Sequence, residues 1–212
     1  WRSPITFLHQ RFLQSRLLRH ADAILISSQD YAERSSLQPL LTPLADRVFE
    51  VPFAVDTDLF SPLMTREDTA PRFLFVGGMD FAHHFKGVRE LLSALQPLSQ
   101  LDWTLELVGD GALRPSYEAH AETCGLTDRV TFRGRVSPEA LVQAYQQADL
   151  LLFPSTTAAE AFGLVALEAQ SCGVPVIASG RFSRGSPPWP VRGNGAGSGG
   201  VPGCPVCGSA SW

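Results

Sequence analysis

Charge is scarce in this chain. Of its 212 residues, 18% are Asp, Glu, Lys or Arg, and the formal net charge is −4. That balance excludes the basic field by which proteins hold nucleic acid, so no nucleic-acid partner is expected. Cysteine is rarer still, at positions 124, 172, 204 and 207. The first two fall in helix-like segments, so the four do not form a disulfide framework and point to a reducing compartment. Cys204-Pro205-Val206-Cys207 lacks the second Cys or His pair a structural zinc needs, and no metal is expected there. No apolar run is long enough to cross a bilayer, and no signal peptide is read at the start. From Arg181 to Trp212 there is no Asp, Glu or Lys, while 8 of the 18 glycines and 5 of the 16 prolines lie there. Such a segment has too little apolar surface to offset ordering entropy and is predicted disordered. A shifted reading frame or chimeric assembly and a native flexible tail are the two explanations of it.

What is present is apolar and regularly spaced. Apolar residues make up 44% of the chain, enough for a globular core. The most informative stretch is PSTTAAEAFGLVALEAQSCGVPVIAS, from Pro154 to Ser179. The apolar run at 149–153 before it predicts a buried strand. A polar loop follows, then a helical pattern from about Phe162 to Ser171, stopped by Gly173 and Pro175, then a second strand over 174–178. Glu160 precedes that helix and Glu168 lies inside it, about two turns or roughly 12 Å further on. Backbone amides at 161–164 fall between them, at the positive end of the helix dipole. A diphosphate fits that place, with a carboxylate near each end to accept hydroxyl hydrogen bonds.

Glu160-Ala161-Phe162-Gly163-Leu164-Val165-Ala166-Leu167-Glu168, followed by Cys172-Gly173-Val174-Pro175-Val176, resembles the E-x7-E signature of retaining glycosyltransferases of family 4. The resemblance implies a GT-B architecture of two Rossmann-like domains. It implies that Glu160 contacts the donor sugar, that Glu168 contacts the donor ribose, and that the amides from Phe162 to Val165 meet the diphosphate. The chain is then a fragment, with 1–62 the remnant of an acceptor-side domain and 63–71 a linker. Residues 72–180 form a nucleotide-sugar-binding domain, and the resemblance ends at Gly180, before the tail at 181–212.

The order of elements predicts an α/β fold built on a doubly wound parallel sheet. Residues 1–20 carry apolar positions at helical spacing, with Arg2, Arg11, Arg16 and Arg19 on the other face. A helix packed on a sheet with a solvated basic face is the plainer reading, and peripheral contact with a membrane the other. Residues 21–28 read as a strand ending in a serine cap for a short helix through Tyr31 to Leu37, and 48–52 as another strand. Strands follow at 73–76, 103–108 and 130–132. Residues 79–85 read as a loop. Helices are predicted from Lys86 to about Leu98, from Ala112 to Cys124 with Gly125 as its stop, and from Ser137-Pro138 to Ala148.

Several turns between these elements match the family's donor cleft. Gly77 and Gly78 let a ligand approach the backbone after the first strand, and Gly109-Asp110-Gly111 resembles the family's V-G-D-G turn. Arg133, Gly134 and Val136 match the segment that flanks the nucleotide base, although Arg133 and Arg135 read equally well as ordinary strand-end charges. Lys86, in Phe85-Lys86-Gly87-Val88, matches a K-G that brings a compact positive charge to the diphosphate. The family often carries an arginine where this chain has Gly78, so one cation is missing. His83 and His84, in the next loop, are the candidates for part of its role, against solvent-exposed loop histidines.

The resemblance implies transfer of a hexose from a UDP- or GDP-linked donor to a glycan or lipid-linked acceptor, without a metal or other cofactor. It implies a place in the cytoplasm, at the inner face of the membrane. The alternatives are a nucleotide-sugar-binding domain without catalysis and, less in keeping with the E-x7-E spacing, a GT-B sugar-nucleotide epimerase.

Overall fold

The computed structural model describes residues 9–63, 70–157 and 163–179. It is an α/β structure with two parallel sheets. The smaller pairs β1 (Ile24–Ile26) with β2 (Val48–Glu50), with Ile24 opposite Val48. Before it runs a π-helical turn (His9–Gln14) continued by α1 (Ser15–His20). Ser28 caps α2 (Gln29–Arg34), its hydroxyl accepting from the Tyr31 amide at 3.3 Å. A short α3 (Gln38–Leu41) and a 3-10 turn (Thr42–Arg47) follow, each with a proline at its second residue.

The core here is small: Ile24, Leu41 and Leu44, with Leu18, Ala21, Ile26 and Val48 packed around them. Leu18 turns inward, while Phe12, Leu13 and Leu17 are exposed. The apolar face of this helix is therefore buried over a narrower stripe than its spacing predicts. Leu25 and Phe49, on the opposite face of the two strands, are exposed as well.

The larger sheet has the order β5-β4-β3-β6-β7, all parallel. Its strands are β3 (Arg72–Val76), β4 (Thr104–Val108), β5 (Val130–Gly134), β6 (Leu150–Phe153) and β7 (Val176–Ala178). β3 lies between β4 and β6, so the winding reverses there, as in a doubly wound Rossmann-like sheet. Alternation along β3 feeds two cores. Phe75 joins Leu105, Leu107 and the apolar sides of α4 (Val88–Leu95) and α5 (Arg114–Thr123) on one face. Leu74 joins Leu151 and the sides of α6 (Pro138–Gln147) and α7 (Leu164–Ser171) on the other. In α4, Val88, Leu91, Leu92 and Leu95 are all buried, each worth about 1.5–3 kcal/mol relative to exposure. Ser137 caps α6 as predicted, accepting from the Ala140 amide at 3.3 Å. Gly125, at φ 68°, stops the helix before it.

Several boundaries differ from the sequence expectation: α2 ends at Arg34, α4 at Leu95, α5 opens at Arg114, β5 runs on to Gly134 and β7 opens at Val176. Residues Phe81–Lys86 form a 3-10 helix and not a loop. Lys86 closes that turn and does not open the next helix, because Gly87 adopts φ 72° and α4 starts only at Val88. A Cβ on Gly87 would overlap the Pro154 carbonyl oxygen, so glycine there is dictated by packing on the end of β6. Helix α7 starts at Leu164, after Gly163 at φ 72°.

Candidate functional site

In a doubly wound sheet, ligands bind beyond the carboxyl ends of the strands where the order reverses. Here that place lies between β3 and β6. The turn after β3 is Gly77-Gly78, fixed by hydrogen bonds from the Gly77 amide to the Val108 carbonyl (2.9 Å) and from the Met79 amide to the Asp110 carbonyl (3.0 Å). Gly109, at φ 131°, lies against it: a Cβ there would overlap the Gly77 carbonyl oxygen. Gly111 is pressed in the same way onto the Met79–Asp80 peptide. Two strand-end turns meet here backbone to backbone, and a side chain at Gly109 or Gly111 would force them apart. The Gly-Gly and Gly-Asp-Gly turns singled out in the sequence are thus brought together.

Lys86, the only lysine of the chain, reaches over this turn. Its Cδ would stand 2.7 Å from a Cβ on Gly77, and its Nζ sits 5.9 Å from the centre of the Phe153 ring at the end of β6. That distance suits a cation–π contact. The 3-10 helix carrying Lys86 is tied to the β6 end by the Thr156 amide and hydroxyl, which donate to the Phe85 carbonyl at 2.7 and 3.0 Å. A compact positive charge is therefore held at the point where the strand order reverses.

The β5 end is arranged differently. Gly134 adopts φ 71°, and its carbonyl accepts from the Gly109 amide at 2.8 Å. Arg133 stands 3.5 Å from the Glu106 carboxylate on β4, so this arginine is engaged across the sheet. Val136 packs on the core shared by α6 and α7. Arg114, to which the sequence reading gave no role, donates from Nη2 to the Phe132 carbonyl at 3.0 Å and from Nε to Glu118 at 2.7 Å. Its guanidinium lies beside Gly134, and the hydrogen bond to Glu118 holds its pKa above the usual arginine value.

At the third edge stands α7, with its first turn toward the carboxyl ends of the sheet. Gly163 at its N-cap has no side chain with which to satisfy the opening amides. Leu164 is exposed there and Val165 packs inward. Glu168, one turn in, is half-buried, and its Oε2 accepts a 2.6 Å hydrogen bond from the Tyr145 hydroxyl. The Tyr145 ring is wholly buried. Desolvation, with the Glu168 charge adding to it, pushes its phenol well above the usual tyrosine value, so it stays a donor. Sequence reasoning missed this residue, although a Tyr on the buried face of a helix needs a partner for its hydroxyl. Glu160 and Phe162 lie outside the described residues.

Among the described residues no group of three or more His, Cys, Asp or Glu is placed to hold a metal ion, and no helix is long and apolar enough to cross a membrane. A cavity of about 420 Å³ opens beside the smaller sheet, lined by residues such as Ile26, Gln29, Ala32 and Leu41. It contains none of the groups described above.

Residues 70–189 match the family model of the glycosyl transferases group 1, so the likeness runs past Gly180. The chain is 33% identical over 184 residues to a D-inositol 3-phosphate glycosyltransferase of Xylanimonas cellulosilytica, covering 78% of this chain and 42% of that protein. It is 35% identical over 176 residues to the D-rhamnosyltransferase WbpZ of Pseudomonas aeruginosa, covering 80% and 44%. Among solved structures, the sucrose-phosphate synthase of Thermosynechococcus elongatus superposes with a TM-score of 0.66 at 31% identity, over 79% of this chain and 43% of that one. The chain thus spans less than half the length of the curated relatives it matches. A doubly wound sheet with this pair of glycine turns, together with a family match over residues 70–189, places the chain in the glycosyl transferases group 1 family.

Proposed function

We propose that this chain supplies the donor side of a retaining GT-B glycosyltransferase of family 4, which moves a hexose from a UDP- or GDP-linked sugar to a glycan or lipid-linked acceptor. The observation that carries this reading is the seat of Lys86, held over Gly77 where β3 and β6 diverge. When the acceptor hydroxyl replaces the diphosphate at the anomeric carbon, negative charge develops on the leaving group. Preorganised donors aimed at that charge are the largest lever available to such a site. Lys86 and the opening amides of α7 are the donors. Glu160 bears on the sugar, and Glu168 accepts from the ribose hydroxyls. Gly77, Gly78, Gly109, Gly134 and Val136 give the nucleotide close access to backbone, with Arg133 at its base-facing rim. The site works without a metal in this reading. Residues 1–62 belong to the acceptor-side domain, where the exposed Phe12, Leu13 and Leu17 beside Arg16 and Arg19 offer a contact to the inner membrane face.

Calorimetric titration of the chain with UDP and with GDP tests the donor site. One of the two binds, and Lys86→Ala weakens it by roughly tenfold or more, the loss expected when a charged hydrogen-bond donor is removed. Equal affinity in the folded variant overturns the reading. In the whole enzyme, a labelled donor converted to product of unchanged anomeric configuration separates a retaining transferase from a binding domain without catalysis.

A further inference from the structure

We propose that His83 is a second cation of the diphosphate site, seated by Gly78, and that protonation of its ring tightens donor binding as pH falls. This rests on the donor-site reading above. Two consecutive glycines end β3, and each is covered by a basic side chain from the same 3-10 helix. A Cβ on Gly77 would meet the Lys86 stem at 2.7 Å, and one on Gly78 would meet His83 Nδ1 at 2.9 Å and Cγ at 3.1 Å. The pairing follows from helical geometry. A 3-10 helix has about three residues per turn, so positions 83 and 86 eclipse and lie on one side of it. His84 does not share that side, and its Nδ1 is engaged with the Phe81 carbonyl at 2.8 Å.

The glycine is required for this arrangement. Any side chain at position 78 would occupy the space of the imidazole, while the turn itself cannot yield because both flanking amides are bound to the β4 end. The ring is also placed for exchange with solvent and ligand, its side chain being 45% exposed. Asp80 stands 3.7 Å from Nδ1, and its other oxygen accepts from the Ala112 amide at 3.2 Å, so that carboxylate is itself fixed. With Asp80 on the Nδ1 side, Nε2 is the atom that meets an anion. The charged and titratable groups on its own segment are Asp80, His84 and Lys86, and across the turn follow Asp110, whose carbonyl accepts from the Met79 amide, and Arg114, which opens α5. Arg114 is spent on Glu118 and Asp110. Lys86 and His83 are therefore the two cations that share the glycine turn, one permanent and one conditional on pH.

The test is calorimetric titration of the chain with UDP and GDP at about pH 8 and about pH 5.5, the range in which histidine gains its proton. A terminal phosphate takes up a proton in the same range, an effect common to every variant. Relative to His83→Gln, the unmodified chain should gain roughly three- to tenfold in affinity at the lower pH and differ by less than about twofold at the higher. Gly78→Ala, by displacing the ring, should reproduce the His83→Gln profile, whereas His84→Gln should keep the original one. A His83→Gln profile that runs parallel to the unmodified chain overturns the proposal, as does loss of the pH effect in His84→Gln alone. A folded Gly78→Ala that keeps the original profile removes the seating role of the glycine. Failure of the donor-site reading looks different, because then neither diphosphate binds at either pH.

Discussion

The hydroxyl of Tyr145 donates a 2.6 Å hydrogen bond to Glu168 from a ring with no exposed surface. A carboxylate at the candidate ribose position is thereby held by a group from the neighbouring helix, so its direction is set by packing between α6 and α7. Tyr145→Phe should keep the fold and release that carboxylate. Nucleoside diphosphate affinity should fall by roughly three- to tenfold, beyond a stability loss of about 1–2 kcal/mol. Calorimetry and thermal melting together check this, since a Tyr145 that only packs would lower the melting temperature and leave affinity alone.

The same phenol makes stability depend on alkaline pH. Its folded pKa is raised above the ordinary tyrosine value of about 10, so the unfolded chain loses the proton first. Stability from this group is complete below about pH 10 and declines above it, by at most about 1.4 kcal/mol per pH unit. Melting curves from pH 8 to about pH 11 should therefore fall more steeply for the unmodified chain than for Tyr145→Phe. Parallel curves would show that Tyr145 ionises as readily folded as unfolded.

The two glutamates of the E-x7-E stretch should separate by ligand. Glu168→Ala should weaken UDP or GDP by about ten- to a hundredfold, the worth of a charge-assisted hydrogen bond. Glu160→Ala should spare the free diphosphate and weaken the sugar-bearing donor, with a loss of rate in the whole enzyme. Four affinities decide it, and an equal loss for both ligands in a stable Glu160→Ala would reverse the assignment.

Gly109→Ala tests the contact of the two turns. Alanine at φ 131° is strained, and its methyl would overlap the Gly77 carbonyl oxygen. A loss of about 3 kcal/mol or more is expected, which for a chain of this size lowers the melting temperature by about 6–12 °C. A melting temperature within about 2 °C of the unmodified chain would mean that the turns part easily.

Most of the architecture was legible before any coordinates. The apolar runs found all seven strands of the described residues, and Ser28, Ser137 and Gly125 marked helix ends because capping is a local matter of hydrogen bonds and φ. What escaped the reading is tertiary. Gly87 breaks the segment between Lys86 and Val88 through its approach to Pro154, far away in sequence, so the helix start was misplaced by two residues. The turns at 38–47 are not assigned from sequence because Pro39 and Pro43 serve equally as loop signals and as residues of a first helical turn. In the candidate site, the glycine turns and Lys86 announced themselves by type and place. Tyr145 did not, since a helix pattern cannot tell a tyrosine that only fills space from one that bonds across to Glu168.

Phe60 and Ser61, which lie in sequence between the two sheets, pack along α6 and α7. There Phe60 sets its ring edge-on against Tyr145, with centroids 5.8 Å apart. The Phe60 carbonyl accepts from the Ser171 hydroxyl, and the Ser61 carbonyl accepts from Gln146 Nε2 at 2.9 Å. One aromatic ring thus touches the covalent bridge on one side and Glu168 on the other. A pull on residues 60–61 would therefore bear on α6 and α7 together, through the same ring that holds Glu168.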